Sequence, residues 1–327
     1  MAMEKKTRRS NSSRTRATRR KIRRRQRTVA LLAVLAGVVI LGFLGLYISN
    51  SQSGLHVTGE NSYDVKAGYR SLEVGEKEYA YKRRISTVLV TLVDSEEPIQ
   101  EGAQYGCDMT EASIHLIVMD GTAKKLRVLG IPGELVAVSS AEVTGDDLLE
   151  AVRSLLGDVP VDQYIIANRA GISWLNEYLG GITVDVPNND LAMLYMDLYE
   201  GSTATLTGDA AADFVLFRGE ESASNRDGFA ARQESFLDSA LPRLREKVQG
   251  DPVAAAKELD MPENAFCSSI GKSQYLGYLK LFLEMSQEED YYTALENSIV
   301  TVEDGAEFHV DEEKLQQLIL DLFYEEG

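Results

Sequence analysis

The chain has 327 residues, 44% of them hydrophobic, which is enough for one large folded domain with attached segments. Its net charge of −17 hides a sharp division. Residues 1–28 contain 13 Lys and Arg and one Glu, a net of +12, whereas the rest contains 21 Lys and Arg and 50 Asp and Glu, a net of −29. A single cytosolic globular domain seldom sorts its charge in this way. Two cysteines and three histidines exclude a Cys/His zinc scaffold and a disulfide-dense secreted fold.

Residues 29–48 read VALLAVLAGVVILGFLGLYI and carry no charge. At about 1.5 Å per residue, a helix of this length spans the hydrocarbon layer of about 30 Å. The run is longer than the apolar region of a cleaved signal peptide, so we predict an uncleaved transmembrane helix, with cleavage as the alternative. Basic residues stay on the cytoplasmic side, which predicts a cytoplasmic tail (1–28) and an extracellular C-terminal part in the cell membrane. Because this sorting already explains the basic tail, we expect no nucleic acid as a partner.

The outer part begins with a Ser/Gly/Glu-rich stretch, residues 49–84, which indicates a stalk or lead-in. Short β-branched runs bounded by turn residues then predict strands at 85–93, 114–119, 126–131, 161–167, 182–186 and 298–302. Thr144 begins a helix with an apolar stripe, and a second helix ends at Gly180-Gly181. Further helices are predicted at 227–248, 274–286 and 312–324. Strands that alternate with helices predict an α/β domain over 85–327, with a mixed central sheet covered by helices on both faces.

Several stretches of this domain carry motifs. Asp162 to Pro187 reads DQYIIANRAGISWLNEYLGGITVDVP, and Leu206 to Arg218 reads LTGDAAADFVLFR. The first resembles the block D-Y-Y-v-x-v-n-f-d-g-f-x-x-l-v-d-x-l-G-G-V-x-V-d-V-P of the LytR-CpsA-Psr family of membrane-anchored cell-envelope proteins. The second resembles its L-n-G-e-q-A-l-a-Y-v-R-x-R. Arg232-Gln233, the segment 92–95 and Ile131-Pro132 resemble the family's R-Q, l-G-x-D-s-R and s-I-P-R-D segments. The resemblance covers about residues 85–250.

The resemblance implies a chemistry as well as a fold. Members hold a polyprenyl-pyrophosphate-linked glycan and transfer its phosphoglycosyl end to peptidoglycan or another wall acceptor. Arginines clamp such a diphosphate, and a carboxylate-bound Mg²⁺ neutralises it. By the alignment, Asp94, Arg218 and Arg232 are the candidate catalytic residues. Gln233, Arg226 and Glu134 are candidate ligand-binding residues, and Asp94 with Asp108 would hold the Mg²⁺.

Several arginines of the family pattern are missing. Glu96, Gly133, Leu216 and Phe229 stand where the pattern has arginine. One arginine at a phosphoryl-transfer site contributes about 10³–10⁵ in rate, and the acidic outer domain repels a diphosphate. We therefore expect phosphoglycosyl transfer to be weak or lost, and whether the chain is an enzyme stays open at this point.

Three alternatives also remain open. Arg232 lies on the apolar stripe of its helix, between Phe229 and Phe236, so it needs a buried partner. That partner is either a ligand phosphate or an acid such as Asp94.

The chain as a whole is either a glycan-binding protein or a non-enzymatic membrane scaffold of envelope assembly. A membrane-bound transcription regulator would need a folded DNA reader, which the basic tail lacks. The two extracellular cysteines, Cys107 and Cys267, form a disulfide or remain free.

Overall fold

The computed structural model describes residues 71–99, 112–136, 144–219, 223–259, 261–262, 264–271, 274–288, 290–303 and 307–327. The predicted basic tail, the predicted transmembrane helix and Asp108 lie outside these residues. Within them, no helix combines the length and the apolar character needed to cross a bilayer.

The centre of the fold is a six-stranded mixed sheet, as the sequence predicts. Its strands are β3 (Ile85–Leu92), β4 (Ser113–Asp120), β5 (Lys125–Ile131), β6 (Gln163–Ala167), β9 (Phe266–Ser268) and β10 (Tyr292–Ala294), in the spatial order β10-β5-β4-β3-β6-β9. β3 is parallel to β6 and antiparallel to β4, and β4 forms a hairpin with β5. The β-branched runs are central because both of their faces are buried.

Helices cover both faces of this sheet. They are α1 (Gly145–Leu155), α2 (Arg169–Tyr178), α3 (Asp209–Leu216), α4 (Ala223–Gly250), α5 (Pro252–Glu258), α6 (Tyr275–Glu284), α7 (Leu295–Ser298) and α8 (Glu312–Phe323). Side chains such as Leu89 and Leu116 face α1, α7 and α8 in one apolar core. On the opposite face, Val88 and Val128 pack with residues of α4 and α6. The helix layers on both faces confirm the predicted α/β architecture.

The ordered structure begins before residue 85, within the stretch that the sequence assigned to the lead-in. β1 (Ser71–Val74) and β2 (Lys77–Tyr81) form an antiparallel sheet with β13 (Tyr324–Glu326), in the order β1-β2-β13. In the register of this sheet Tyr81 lies opposite Tyr324. Short, half-exposed strands leave little apolar pattern, and their partner lies at the other end of the chain, which is why the sequence analysis missed them.

Two smaller hairpins complete the fold, β7 (Thr183–Asp185) with β8 (Thr203–Thr205) and β11 (Val300–Glu303) with β12 (Glu307–Val310). Local signals place the helix ends well. Thr144 and Asp147 form a reciprocal capping box at the start of α1, and Gly180 and Gly181 after α2 have φ of 80° and 85°. α4, however, begins at Ala223, four residues before its predicted start.

Of the two cysteines, the described residues include Cys267. Cys267, on β9, is buried and free. Cys107 lies outside the described residues. Cys267 lies in the apolar core, and its predicted pairing with Cys107 stays a prediction.

Candidate functional site

The predicted acid Asp94 lies just after β3, where the loop that follows the strand meets the start of α2. Asn168 caps α2: its side chain accepts from the backbone amide of Gly171 at 3.0 Å and donates to the carbonyl of Glu97 at 2.9 Å. The backbone amide of Arg169 also donates to the carbonyl of Ser95, at 3.3 Å. The cap therefore holds the 94–97 loop against the first residue of α2.

Arg169, which no sequence argument singled out, is the partner of Asp94. Its Nη1 donates to Asp94 Oδ1 at 2.7 Å, its Nε lies 3.1 Å from Glu96 Oε1, and its Nη2 donates to Asp213 on α3. We call these four residues the Arg169 cluster. Burial opposes the charge of Arg169, but the hydrogen bonds to Asp213 and Asp94 outweigh it and raise the pKa of the guanidinium. Tyr195 donates to Asp213 Oδ2 at 2.5 Å, and burial together with this bond raises the pKa of Tyr195 to about 12.

Arg218 lies just beyond the C-terminus of α3 and meets another predicted site residue, Glu134. Its Nη1 is 3.5 Å from Glu134 Oε1, its Nη2 donates to the carbonyl of Ala112 at 3.0 Å, and the guanidinium carbon lies 4.2 Å from the ring centroid of Phe229. Arg218 Nε and Glu134 Oε2 are buried atoms with no hydrogen-bond partner in the described structure. Arg218 therefore keeps a buried donor, its Nε, that no described group accepts.

Arg232 on α4 has no exposed surface at all. Its Nε donates to the carbonyl of Phe214 at 3.1 Å, and its Nη2 donates to the carbonyl of Phe217. Its Nη1 donates to Asn188 Oδ1 at 3.1 Å and to the carboxylate of Asp190. The predicted buried partner therefore exists, and in the described structure it is Asp190 in the loop between β7 and β8 rather than Asp94. Burial lowers the pKa of Arg232 and Asp190 opposes this, as a paired interior cation requires.

Gln233 belongs to a buried polar chain under the same helix. Its Nε2 donates to Ser113 Oγ at 2.7 Å, and Ser113 Oγ lies 2.9 Å from His115 Nε2. Tyr292 donates to Gln233 Oε1 at 3.4 Å. Gly130, which lies opposite His115, leaves room for this tyrosine, since a Cβ at that position would lie 2.5 Å from the Tyr292 hydroxyl. Burial lowers the pKa of His115 to about 4. Gln233 thus holds the sheet to α4, and His115 is a buried histidine to which no sequence pattern pointed.

Arg226, the last predicted ligand residue, lies in the first turn of α4 and not in a loop. Its guanidinium carbon is 5.9 Å from the ring centroid of Phe308 on β12. Asp94, Arg218 and Arg232 all lie around α3: Asp213 of α3 binds Arg169, which in turn binds Asp94. The C-terminal carbonyls of α3 bind Arg232, and Arg218 follows two residues after the helix.

Solved structures share this architecture. The Lin1025 protein from Listeria innocua is 19% identical, with a TM-score of 0.50 over 74% of this chain and 97% of its own. Bacillus subtilis TagV is 16% identical, with a TM-score of 0.52 over 72% and 96%. TagT, in a structure bound to LIIa-WTA, is 17% identical, with a TM-score of 0.53 over 73% and 89%. The chain has the LytR-CpsA-Psr fold. No protein-family model and no curated protein matches the sequence.

Three apolar side chains of the central sheet remain partly exposed on the face that packs against the helices α4 and α6. Val90, Ile117 and Ile165 lie on the central strands and face this helix layer, yet each remains partly exposed. The register places Val90 opposite both His115 and Ile165, so these side chains share one face. Apolar side chains in the middle of a covered sheet stay accessible only where the layers part. We call these three partly exposed side chains and the region beside them the sheet–helix cleft.

The loop between β7 and β8 carries a second apolar surface. Met193 and Met196 are each 95% exposed, and Leu194 and Tyr199 beside them are more than half exposed. These four residues are the exposed large hydrophobic side chains of the described structure. The same loop supplies Asp190 to Arg232 and Tyr195 to the Arg169 cluster. This exposed apolar tip is thus anchored to the site by two polar contacts.

The carboxylates around α3 outnumber its guanidiniums. Arg169, Arg218 and Arg232 are each paired, and together they contact Asp94, Glu96, Asp213, Glu134 and Asp190. These eight side chains carry three positive and five negative charges. They therefore attract an anion much less strongly than the LytR-CpsA-Psr arginine pattern implies.

The described residues do not fit a divalent metal ion at Asp94. Asp94 Oδ1 accepts from Arg169 Nη1 at 2.7 Å, so a cationic side chain already occupies this carboxylate. Among the described parts of the chain, no group of three or more His, Cys, Asp or Glu side chains has the arrangement of a metal site. The described residues therefore offer no site for Mg²⁺ beside Asp94.

Proposed function

We propose that this protein takes part in attaching polymers to the cell wall, by binding a polyprenyl-pyrophosphate-linked glycan at the outer face of the membrane. The LytR-CpsA-Psr fold supports this proposal, since TagT has that fold and has been solved bound to LIIa-WTA, a wall teichoic acid species. The predicted anchor at 29–48 would keep the domain at the cell membrane, with peptidoglycan or another wall polymer as the acceptor.

The observation that carries the proposal is the sheet–helix cleft. A polyprenyl chain is a long apolar ligand, and its burial needs a continuous apolar surface inside the protein. Val90, Ile117 and Ile165 offer such a surface, partly open in the absence of any ligand. Each buried methylene of the lipid contributes about 0.8 kcal/mol, so a few isoprene units are enough for tight retention.

Transfer of the glycan is expected to be weak or lost. A phosphoryl-transfer site stabilises the charge of the moving phosphoryl group with free cations. Here the guanidinium of Arg232 is fully buried and donates four of its five N–H groups to protein oxygens, and Arg218 faces Glu134. An unused buried donor, Arg218 Nε, is the group that supports binding of one phosphate oxygen.

The excess of carboxylates favours one alternative, a non-enzymatic scaffold of envelope assembly. A cluster with three guanidiniums and five carboxylates repels a free diphosphate unless the lipid supplies most of the binding energy. The two functions differ in one measurable property: the scaffold needs no lipid in the sheet–helix cleft.

Mass spectrometry of lipids that co-purify with the full-length membrane protein tests the proposal. We expect a polyprenyl-pyrophosphate glycan in the native protein. Ile165→Phe should reduce it about tenfold or more, because overpacking the cleft costs the ligand about 1–3 kcal/mol. Ile165→Val, which keeps the cleft open, is the matched control. A folded native protein that carries no polyprenyl species would support the scaffold instead.

The exposed tip of the β7–β8 loop gives a second test, because a site for a membrane lipid must lie close to the bilayer. Met, Leu and Tyr side chains suit the membrane interface. The chain has one tryptophan, so Met193→Trp adds a second, well-exposed fluorophore to the full-length protein in bilayers that contain brominated lipid. We expect its emission to be quenched much more strongly than that of Glu313→Trp on the exposed side of α8. Equal quenching at the two positions would place the tip away from the bilayer.

A further inference from the structure

We propose that Arg169 is the resident cation of this site and that it takes the place of a divalent metal ion at Asp94. The resemblance to the LytR-CpsA-Psr family predicts Asp94 as a magnesium ligand, whereas the structure places a guanidinium on that carboxylate. The inference rests on the proposed function in one respect only, which is that the residues around Asp94 are the phosphate site of the family. Its test needs no glycan, so the two can fail separately.

The geometry is that of a filled cation position. Arg169 reaches carboxylates from three parts of the chain: the loop after β3 supplies Asp94 and Glu96, and α3 supplies Asp213. All three nitrogen groups of its planar fork are used, and the side chain is 18% exposed. A guanidinium is always charged and binds carboxylates in a fixed geometry, so it replaces the charge of a metal without needing its coordination shell.

A divalent ion would have to displace this guanidinium. Mg²⁺ requires oxygen ligands at about 2.0–2.1 Å in nearly octahedral geometry. Asp94 Oδ1 is instead 2.7 Å from Arg169 Nη1. A metal and the guanidinium at this position would also repel each other, since both are cations.

The sequence of the block around residue 169 agrees with this exchange. Asn168 and Gly171 match the n and g of the pattern v-n-f-d-g-f, and between them the chain has Arg169 and Ala170 in place of f and d. The chain therefore has a cation in place of an apolar residue and lacks the acid that follows. The change adds positive charge beside Asp94 and removes a negative group from the same turn of α2.

The exchange predicts a gain of metal binding when Arg169 is removed. Arg169→Gln leaves Asp94, Glu96 and Asp213 as three unpaired carboxylates, which suit a hard cation. Without metal, their mutual repulsion should lower the melting temperature by several degrees, and a cation that binds only the folded state should restore part of it. Arg243→Gln, an exposed arginine paired with Glu246 on α4, is the matched control and should change neither property.

The experiment measures Mn²⁺ binding to the full-length protein in detergent by electron paramagnetic resonance, with thermal unfolding in EDTA and in Mg²⁺. We expect Mg²⁺ to leave the melting temperature of the native protein unchanged. Arg169→Gln should bind Mn²⁺ about 10–100-fold more tightly than the native protein, and the added Asp94→Asn change should abolish that gain. Two results together would overturn the proposal. They are a native protein that binds Mn²⁺ as tightly as Arg169→Gln does, and loss of that binding when Asp94→Asn alone is introduced. The native and Asp94→Asn measurements decide it even if Arg169→Gln does not fold.

Discussion

Replacing Arg232 with alanine is expected to destabilise the folded domain by about 3–5 kcal/mol, the usual effect of breaking a buried ion pair by removing one partner. The change leaves the carboxylate of Asp190 without its cation and the carbonyls of Phe214 and Phe217 without a donor. Urea unfolding, followed by the fluorescence of the single tryptophan, Trp174, measures the loss. Trp174 reports on the folded packing of α2, since it stacks on Tyr178 and packs edge-on against Phe266 of β9.

Arg243→Ala on the same helix is the control for this prediction. Arg243 is half-exposed, and its contact with Glu246 is 3.9 Å, so its removal should change the free energy of unfolding by about 0.5 kcal/mol or less. If Arg232→Ala unfolds like the native protein but loses its co-purified lipid, Arg232 binds ligand and the structural assignment is wrong. Asp190→Ala should destabilise the domain to a comparable degree, because it leaves the guanidinium buried and unpaired.

Acid is expected to destabilise the protein through His115. Burial lowers the pKa of this imidazole from its ordinary value of 6.5 to about 4. Between these values the unfolded chain binds a proton at His115 that the folded chain does not, so stability is complete above pH 6.5 and falls as the pH is lowered towards 4. At about 1.4 kcal/mol per pKa unit, the loss is about 3 kcal/mol.

Urea unfolding at several pH values measures this effect, and His115→Gln isolates it. The variant keeps an amide near Ser113 but has no group that titrates in this range. Between pH 6.5 and 4, unfolding of the native protein should take up about one more proton than unfolding of the variant. The free energy of unfolding of the variant should therefore fall less as the pH is lowered. Parallel curves for the two proteins would mean that His115 is protonated in the folded state.

Local patterns predicted the parts of the fold that local physics controls. The β-branched runs at 85–93 and 126–131 became strands of the central sheet because a strand buried on both faces needs continuous apolar sequence. Thr144 began α1 because its hydroxyl satisfies a free amide within the same turn. The three-residue strands β9, β10 and β13 were missed, since what stabilises them is a neighbour far away in the chain.

The candidate site divides in the same way. Helical spacing between Phe229 and Phe236 was enough to predict that Arg232 is buried and needs a partner, because spacing determines which face of a helix is covered. The choice of Asp190 over Asp94 depends on a loop that returns to α4 from more than 40 positions earlier in the chain. Gly228 permits this contact, since a Cβ at that position would lie 2.8 Å from Asp190 Oδ2.

The charge division, the apolar segment at 29–48, the central strands β3 to β6 with the helices α1 and α2, and the burial of Arg232 follow from the sequence alone, because each depends on residues close together in the chain. Only the tertiary structure decided which charges meet. Arg169 reaches Asp94 and Asp213 across gaps of 75 and 44 residues, and the ion pairs that neutralise the site exist only where the strand ends, α2 and α3 converge. Coulomb attraction acts over a few ångströms in space, and separation along the chain does not reveal which groups come that close.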